Sequence, residues 1–150
     1  MKLKIPPVVV FLIFAALMYL LAKFLPVGAF DFFGRRSLTL ILFILAIVIG
    51  LVSLLQFYKA KTSVDPTVPS RVSKLVTNGI YKFSRNPMYL ALLLILLAFG
   101  LKLGNAFNTI TAAFFVAYMN RFQIGPEEEV LLKIFGKAYK YYCSQVRRWF

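Results

Sequence analysis

Between Ser37 and Tyr58 the chain carries no charged side chain and almost nothing but Leu, Ile, Val, Phe and Ala. As a helix rising ~1.5 Å per residue, a run of this length reaches ~33 Å, enough to cross the ~30 Å hydrocarbon core of a bilayer. In water so long an apolar cylinder has no partner large enough to cover it, so this run predicts a membrane span. The rest of the chain agrees: 61% of its 150 residues are hydrophobic, against about 45–50% in a soluble domain. The net charge is +13, yet only 15% of residues are charged, so the basic side chains sit in gaps between apolar blocks. That excludes a disordered polycation.

Three further spans are expected. The run from Val8 to Ala22 follows Lys2 and Lys4, as a signal peptide would, but its apolar core reaches the upper limit of the ~7–15 residues of a signal and lacks a small-x-small cleavage site. It is read as an uncleaved span over 6–25, with Lys23 and Pro26 at its end. From Pro87 to Asn120 the only charge is Lys102, and Gly104-Asn105 just beyond it supply the chemistry of a reversal. This splits the stretch into spans over 87–103 and 106–123, each ~25–27 Å long.

The basic residues orient this layout. Lys23, Arg35, Arg36 and Lys102 fall on one side; the other fourteen of the eighteen Lys and Arg fall on the side of both termini. By the positive-inside rule both termini are cytoplasmic. The expected fold is therefore an all-α, multi-pass integral membrane protein in a single domain 1–150. It has about four transmembrane helices, at 6–25, 37–58, 87–103 and 106–123. Two segments, 59–86 and 124–150, lie on the cytoplasmic side, and the second is an amphipathic helix.

Several chemistries are excluded by residue type. With no His, the chain has no imidazole base, haem ligand or usual zinc ligand. Cys143 is the single cysteine, so there is no internal disulfide and no cysteine-rich metal site; no metal is expected. Anionic lipid headgroups are the default partner for basic residues beside membrane spans, and no motif points to nucleic acid.

The two polar segments carry what chemistry remains. The prolines of Thr62 to Ser70 predict extended chain, Ser70 caps a short helix, and Asn78-Gly79 end it in left-handed geometry. Asn86-Pro87 read as N-cap and first residue of the third span. Tyr81, Arg85, Asn86 and Tyr89 crowd that helix start, which is a natural anion site, although interfacial aromatic belts look similar. In the other segment Glu127, Glu128 and Glu129 follow Gly125-Pro126. Gly125 as N-cap would let the acids complement the helix dipole, with Glu129 and Lys133 spaced i,i+4. Downstream, Leu131, Ile134, Phe135, Ala138 and Tyr142 form the apolar stripe and Lys133, Lys137, Lys140 and Arg147 the basic side. Gly136 interrupts the pattern, leaving one helix or two open.

Leu75-Val76-Thr77-Asn78-Gly79-Ile80-Tyr81, then Ser84-Arg85-Asn86-Pro87-Met88-Tyr89, then Glu127-Glu128, Phe135-Gly136 and Tyr139 resemble the superfamily of isoprenylcysteine carboxyl methyltransferases and phospholipid methyltransferases. The resemblance covers about Thr62 to Arg148. It implies methyl transfer from S-adenosylmethionine to a lipophilic small molecule or lipid at the cytoplasmic face. Leu75 and Val76 would line the adenosyl pocket. Tyr81 and Asn86, Pro87, Met88 and Tyr89 would contact the donor, Glu127 would hold its ammonium, and Gly79, Arg85 and Glu128 complete the implied set. Acid, base and aromatic faces suit a ligand bearing an ammonium, a carboxylate and a sulfonium.

Two departures matter. Asn86 stands where many members carry His, and Asn does not titrate. Gln123 stands where the eukaryotic prenylcysteine enzymes place an Arg for the substrate carboxylate, which argues against a carboxylate acceptor. Arg121, about 200° away on an ideal helix, replaces it only if the helix deforms. Asn86 and Arg121 are therefore the candidates for a catalytic role, which is otherwise unassigned. The alternative to an enzyme is a non-catalytic membrane module that binds anionic lipid or a partner through its basic surface. A pocket joining Glu127 to Tyr81 and Tyr89 separates the two readings.

Overall fold

The computed structural model describes residues 5–25, 28–60 and 74–150, and among these every regular element is helical. Helix α1 runs Pro7–Phe24, α2 Arg35–Ala60, α3 Pro87–Leu103, α4 Phe107–Tyr118 and α5 Gly125–Gln145. A 3-10 turn, Gly79–Lys82, precedes α3, and a π-helical turn, Met119–Ile124, joins α4 to α5. The extended Thr62–Ser70 stretch, the Ser70 cap and Pro26 lie outside the described residues.

Helix α3 packs against α1, α2 and α4, and α1 also packs against α4. Met18, Leu96, Phe115 and Met119 are fully enclosed where α1, α3, α4 and the π turn meet. Two helices, α1 and α2, are long and apolar enough to cross a membrane. Only 11% of either apolar stretch is buried within the protein, which is the reverse of a soluble core helix. Leu40, Ile41, Ile44, Leu51 and Leu55 of α2 all stand more than half exposed, an apolar surface that water does not tolerate at this density. Helix α3 is apolar and shorter.

The connections tie the bundle at one end. Helix α3 stops at Gly104, whose φ of 66° makes it a left-handed cap. A Cβ there would lie 2.2 Å from Arg35 Nη1 and 3.0 Å from the Phe30 carbonyl oxygen, so only glycine fits. Asn105 Nδ2 donates to the Leu25 carbonyl at 2.8 Å while its Oδ1 accepts from the Phe107 amide at 3.0 Å. Two backbone bonds, Phe30 N–H to Gly104 O and Ala106 N–H to Gly28 O, join the α1–α2 connection to the α3–α4 turn. The opposite end, where α1 and α3 begin and α2 and α4 finish, is left to the two polar segments.

There the local expectations need correction. Gly125 is not an N-cap: its φ and ψ of −55° and −54° are helical, and its amide donates to Asn120 O five residues back. Pro126 has no amide to give the ladder, and the π turn absorbs the missing bond without breaking the helix. The glutamates therefore do not cap a free helix start. Gly136, at φ 51° and ψ −119°, kinks α5. The kink shifts the inward phase: Ala138 is exposed, and Tyr139 joins Leu131, Phe135 and Tyr142 on the packed side. Likewise Gly79 does not end a helix. Residues 74–77 are not helical, and Gly79, at φ 58°, opens the 3-10 turn that carries Tyr81.

Candidate functional site

A cavity of about 790 Å³ lies at the polar end of the bundle. Of the eleven candidate donor-contact residues, ten line it: Leu75, Val76, Tyr81, Arg85, Asn86, Pro87, Met88, Tyr89, Glu127 and Glu128. Gly79 does not. It lies beneath the site, where a Cβ would come 1.5 Å from Gln56 Nε2. Gln56 Oε1 in turn accepts from the Ile80 amide at 3.2 Å, so α2 docks the 3-10 turn through a side chain that fills the room glycine leaves.

The residues split by chemistry along the cavity. At its polar end the Tyr89 hydroxyl stands 2.8 and 3.0 Å from the two oxygens of Glu127, and Gln123 Nε2 donates to Glu127 Oε1. Glu127 is only 7% exposed. A carboxylate this buried is held by groups that satisfy it. Glu128, also on the cavity lining, is paired instead with arginines: Arg85 Nη1 is 3.2 Å away and Arg148 forms a two-pronged contact. Glu129 is exposed. The three acids thus have three different fates.

Packed tyrosines form another wall. Tyr81, Tyr139 and Tyr142 are buried, and burial pushes each phenol well above its ordinary range. The Tyr142 hydroxyl donates to the Tyr81 carbonyl at 2.6 Å, and the Phe57 ring meets Tyr81 edge-on at 5.3 Å. The Tyr81 hydroxyl lies beside buried Ser53 of α2, and the residue lines the cavity. Beyond this wall the lining becomes apolar: Ala46, Ile47, Gly50, Leu51 and Leu54 of α2, Ala91, Leu92 and Ile95 of α3, and residues 5–8.

The two catalytic candidates are placed differently. Asn86 lines the cavity, but its side chain does not cap α3 as expected. Its Nδ2 donates to the Arg148 carbonyl at 2.9 Å, which leaves the first turn of α3 without a side-chain cap beside the cavity. Arg121 is exposed and does not line the cavity. The helix does deform at the π turn, and the deformation brings Gln123 inward instead. Gln123, Tyr139 and Tyr142 also line the cavity, although the sequence offers Gln123 only as the counterpart of a substrate Arg, Tyr139 only as a motif residue and Tyr142 only as part of the apolar stripe. The position of Gln123 four residues before Glu127 was the available signal, since i,i+4 side chains meet on a helix.

A family model described as phospholipid methyltransferase matches residues 34–138. The chain belongs to the phospholipid methyltransferase family. That family sits within the superfamily of integral membrane methyltransferases that the motifs resemble, and its chemistry is methyl transfer to lipid-like substrates. The matched stretch begins at the start of α2, spans the turn, α3 and α4, and ends in the second half of α5. It therefore includes every lining residue of the cavity except residues 5–8, Tyr139 and Tyr142. Over 62 residues, 41% of the chain, there is 48% identity to an uncharacterized protein of Haemophilus influenzae, 98% of which is covered. No solved structure matches.

Proposed function

We propose that this member of the family transfers a methyl group from S-adenosylmethionine to a lipophilic acceptor at the cytoplasmic membrane face. The observation that carries the reading is the continuity of one cavity from a buried acid–phenol–amide cluster at Glu127, Tyr89 and Gln123 into an apolar trough along α2. A small charged ligand suits the first part and a hydrocarbon the second. A buried carboxylate beside a half-buried phenol, opening on that trough, favours turnover over a non-catalytic module.

The residues fit the donor. Glu127 offers a carboxylate for its ammonium, while Arg85 and the uncapped first turn of α3 offer positive charge for its carboxylate. Tyr81, which lines the cavity, offers its hydroxyl as a further hydrogen-bonding group. Leu75 and Val76 offer an apolar wall for the adenine. When bound, S-adenosylmethionine supplies an electrophilic methyl group on sulfur. The chain's own contribution is to bind, orient and exclude water, which for aligned reactants is worth up to ~7–11 kcal/mol. Neither Asn86, tied to Arg148, nor exposed Arg121 is positioned to move a proton. The acceptor is then a nucleophile in its own right, and the uncharged Gln123 beside Glu127 speaks against a carboxylate.

In this reading α1, α2, α3 and the α4–π segment all cross the bilayer with both termini cytoplasmic, in keeping with the charge distribution. Lys82, Lys133, Lys137, Lys140 and Arg147 are exposed together with Phe83, Tyr141 and Phe150, a basic and aromatic rim suited to anionic headgroups. Calorimetric titration of the purified protein with S-adenosylmethionine tests the donor site. Binding that is lost in Glu127→Gln is expected; no heat with wild type, or equal affinity in the variant, refutes it. Methyl-labelled donor added to membranes then identifies the acceptor.

A further inference from the structure

Residues 146–150 fall beyond the stretch that matches the family model, yet they are strapped across the cavity's polar end. The Arg85 amide donates to the Arg147 carbonyl at 3.0 Å and Asn86 Nδ2 to the Arg148 carbonyl at 2.9 Å. Trp149 Nε1 donates to Asn120 Oδ1 at 3.0 Å, and Val146 is buried. Backbone carbonyls and the indole make these ties. The Arg148 side chain is thereby left for another partner.

That partner is Glu128. Arg148 Nε lies 3.0 Å from Glu128 Oε1 and its Nη2 contacts Oε2, while Arg85 Nη1 reaches the same Oε1 at 3.2 Å. One carboxylate is shared by two guanidiniums, so the cluster carries one positive charge in excess. Arg148 has the bidentate grip, the stronger geometry. Arg85 has a single contact to the acid through Nη1, which also donates to Cys143 Sγ, and an Nε with no hydrogen-bond partner among the described residues. Arg85 and Glu128 line the large cavity, whereas Arg148 lines only a smaller neighbouring cavity of about 470 Å³. At the rim of that second cavity Glu129 and Lys140 offset one another in charge.

We infer that Arg148 is a positioning residue that sets donor specificity: by sharing Glu128 it leaves the charge of Arg85 only partly compensated, and so selects a ligand bearing a carboxylate. The inference rests on the donor reading above. Without Arg148 the single acid would neutralise Arg85 and the selection would fade. Without Glu128 it would sharpen.

The experiment compares the affinities of S-adenosylmethionine and its decarboxylated analogue, which keeps the ammonium and sulfonium, by calorimetry on the full chain in micelles. Wild type is expected to prefer the carboxylated ligand. Arg148→Gln should cut that preference about tenfold, the equivalent of ~1.4 kcal/mol, and Arg148→Lys should retain most of it. Glu128→Gln should raise it, which keeps the inference testable if Arg148→Gln does not fold. Trp149→Phe, which loosens the strap without changing charge, should leave the ratio unmoved. Equal weakening of both ligands in Arg148→Gln, or an unchanged ratio, overturns the inference while leaving the donor reading intact. Wild type that binds neither ligand overturns both.

Discussion

Gly79→Ala separates a packing role from a binding role, because Gly79 lies just outside the cavity it supports. At φ 58° an alanine pays the left-handed steric penalty of ~1–2 kcal/mol. Its Cβ would also stand 1.5 Å from Gln56 Nε2 and 2.7 Å from Gln56 Cδ, so that side chain must swing away. Swinging away forfeits the 3.2 Å bond from the Ile80 amide to Gln56 Oε1, worth ~0.5–1.5 kcal/mol. The reduced entropy of the unfolded alanine chain returns ~0.4–1 kcal/mol. The net expected loss is about 2 kcal/mol. Gln56→Ala alone should cost about 1 kcal/mol, the lost hydrogen bond. In that background Gly79→Ala meets no obstruction and carries only its backbone term, so the two changes should couple by ~1 kcal/mol. Equilibrium unfolding in mixed micelles, followed by the fluorescence of Trp149, the sole tryptophan, measures all four corners of the cycle. A double variant as unstable as the sum of the singles would show that Gln56 does not hold the turn, and the reasoning would fail.

Other expectations follow from the same geometry. Tyr89→Phe removes both contacts to buried Glu127, a hydrogen bond to a charged group, and should cost ~1.5–3 kcal/mol in unfolding as well as weaken donor binding in calorimetry. Asn105→Ala, at the far end of the bundle, should affect stability alone: it loses bonds to Leu25 and Phe107 and ~1–3 kcal/mol of stability, with donor affinity intact. Burial raises the phenols of Tyr81, Tyr139 and Tyr142, so the folded state keeps protons that the unfolded chain releases near pH 10. Stability is then full below about pH 10 and falls as pH rises above it; ionisation of these three phenols before unfolding, isolated from the other tyrosines by difference spectra against the single Tyr→Phe variants, would contradict this. Gly50→Leu fills the apolar trough beside Ala91, whose Cβ is already 3.6 Å from the position of a Cβ at Gly50. It should raise KM for the lipophilic acceptor and leave donor affinity unchanged.

How far the sequence reached differs from element to element. The bounds of α3 are those expected, Pro87 to Leu103, because both its signals are local: a proline that starts a helix without needing its amide, and a glycine that ends it in left-handed geometry. The same locality misled at Gly125-Pro126. A glycine and proline before acids look like a helix start, yet here the preceding helix supplies enough packing around Met119 and Ile124 for a π turn to carry the chain through. Asn86 was read as a cap for the same reason, and its amide went instead to a carbonyl 62 residues away.

What the residues settled unaided was the all-helical class, the bounds of α3, and the two polar stretches that supply most of the cavity's polar lining. Each follows from the cost of burying charge or leaving backbone unpaired, and that cost is set within a segment of the chain. The division of labour among three adjacent glutamates was settled only by tertiary structure, as were the recruitment of Gln56, Gln123 and Arg148 and the exclusion of Arg121. These depend on the angular phase at which one helix meets another. The π turn and the kink at Gly136 reset that phase, and they are stable only because neighbouring helices enclose the side chains they expose.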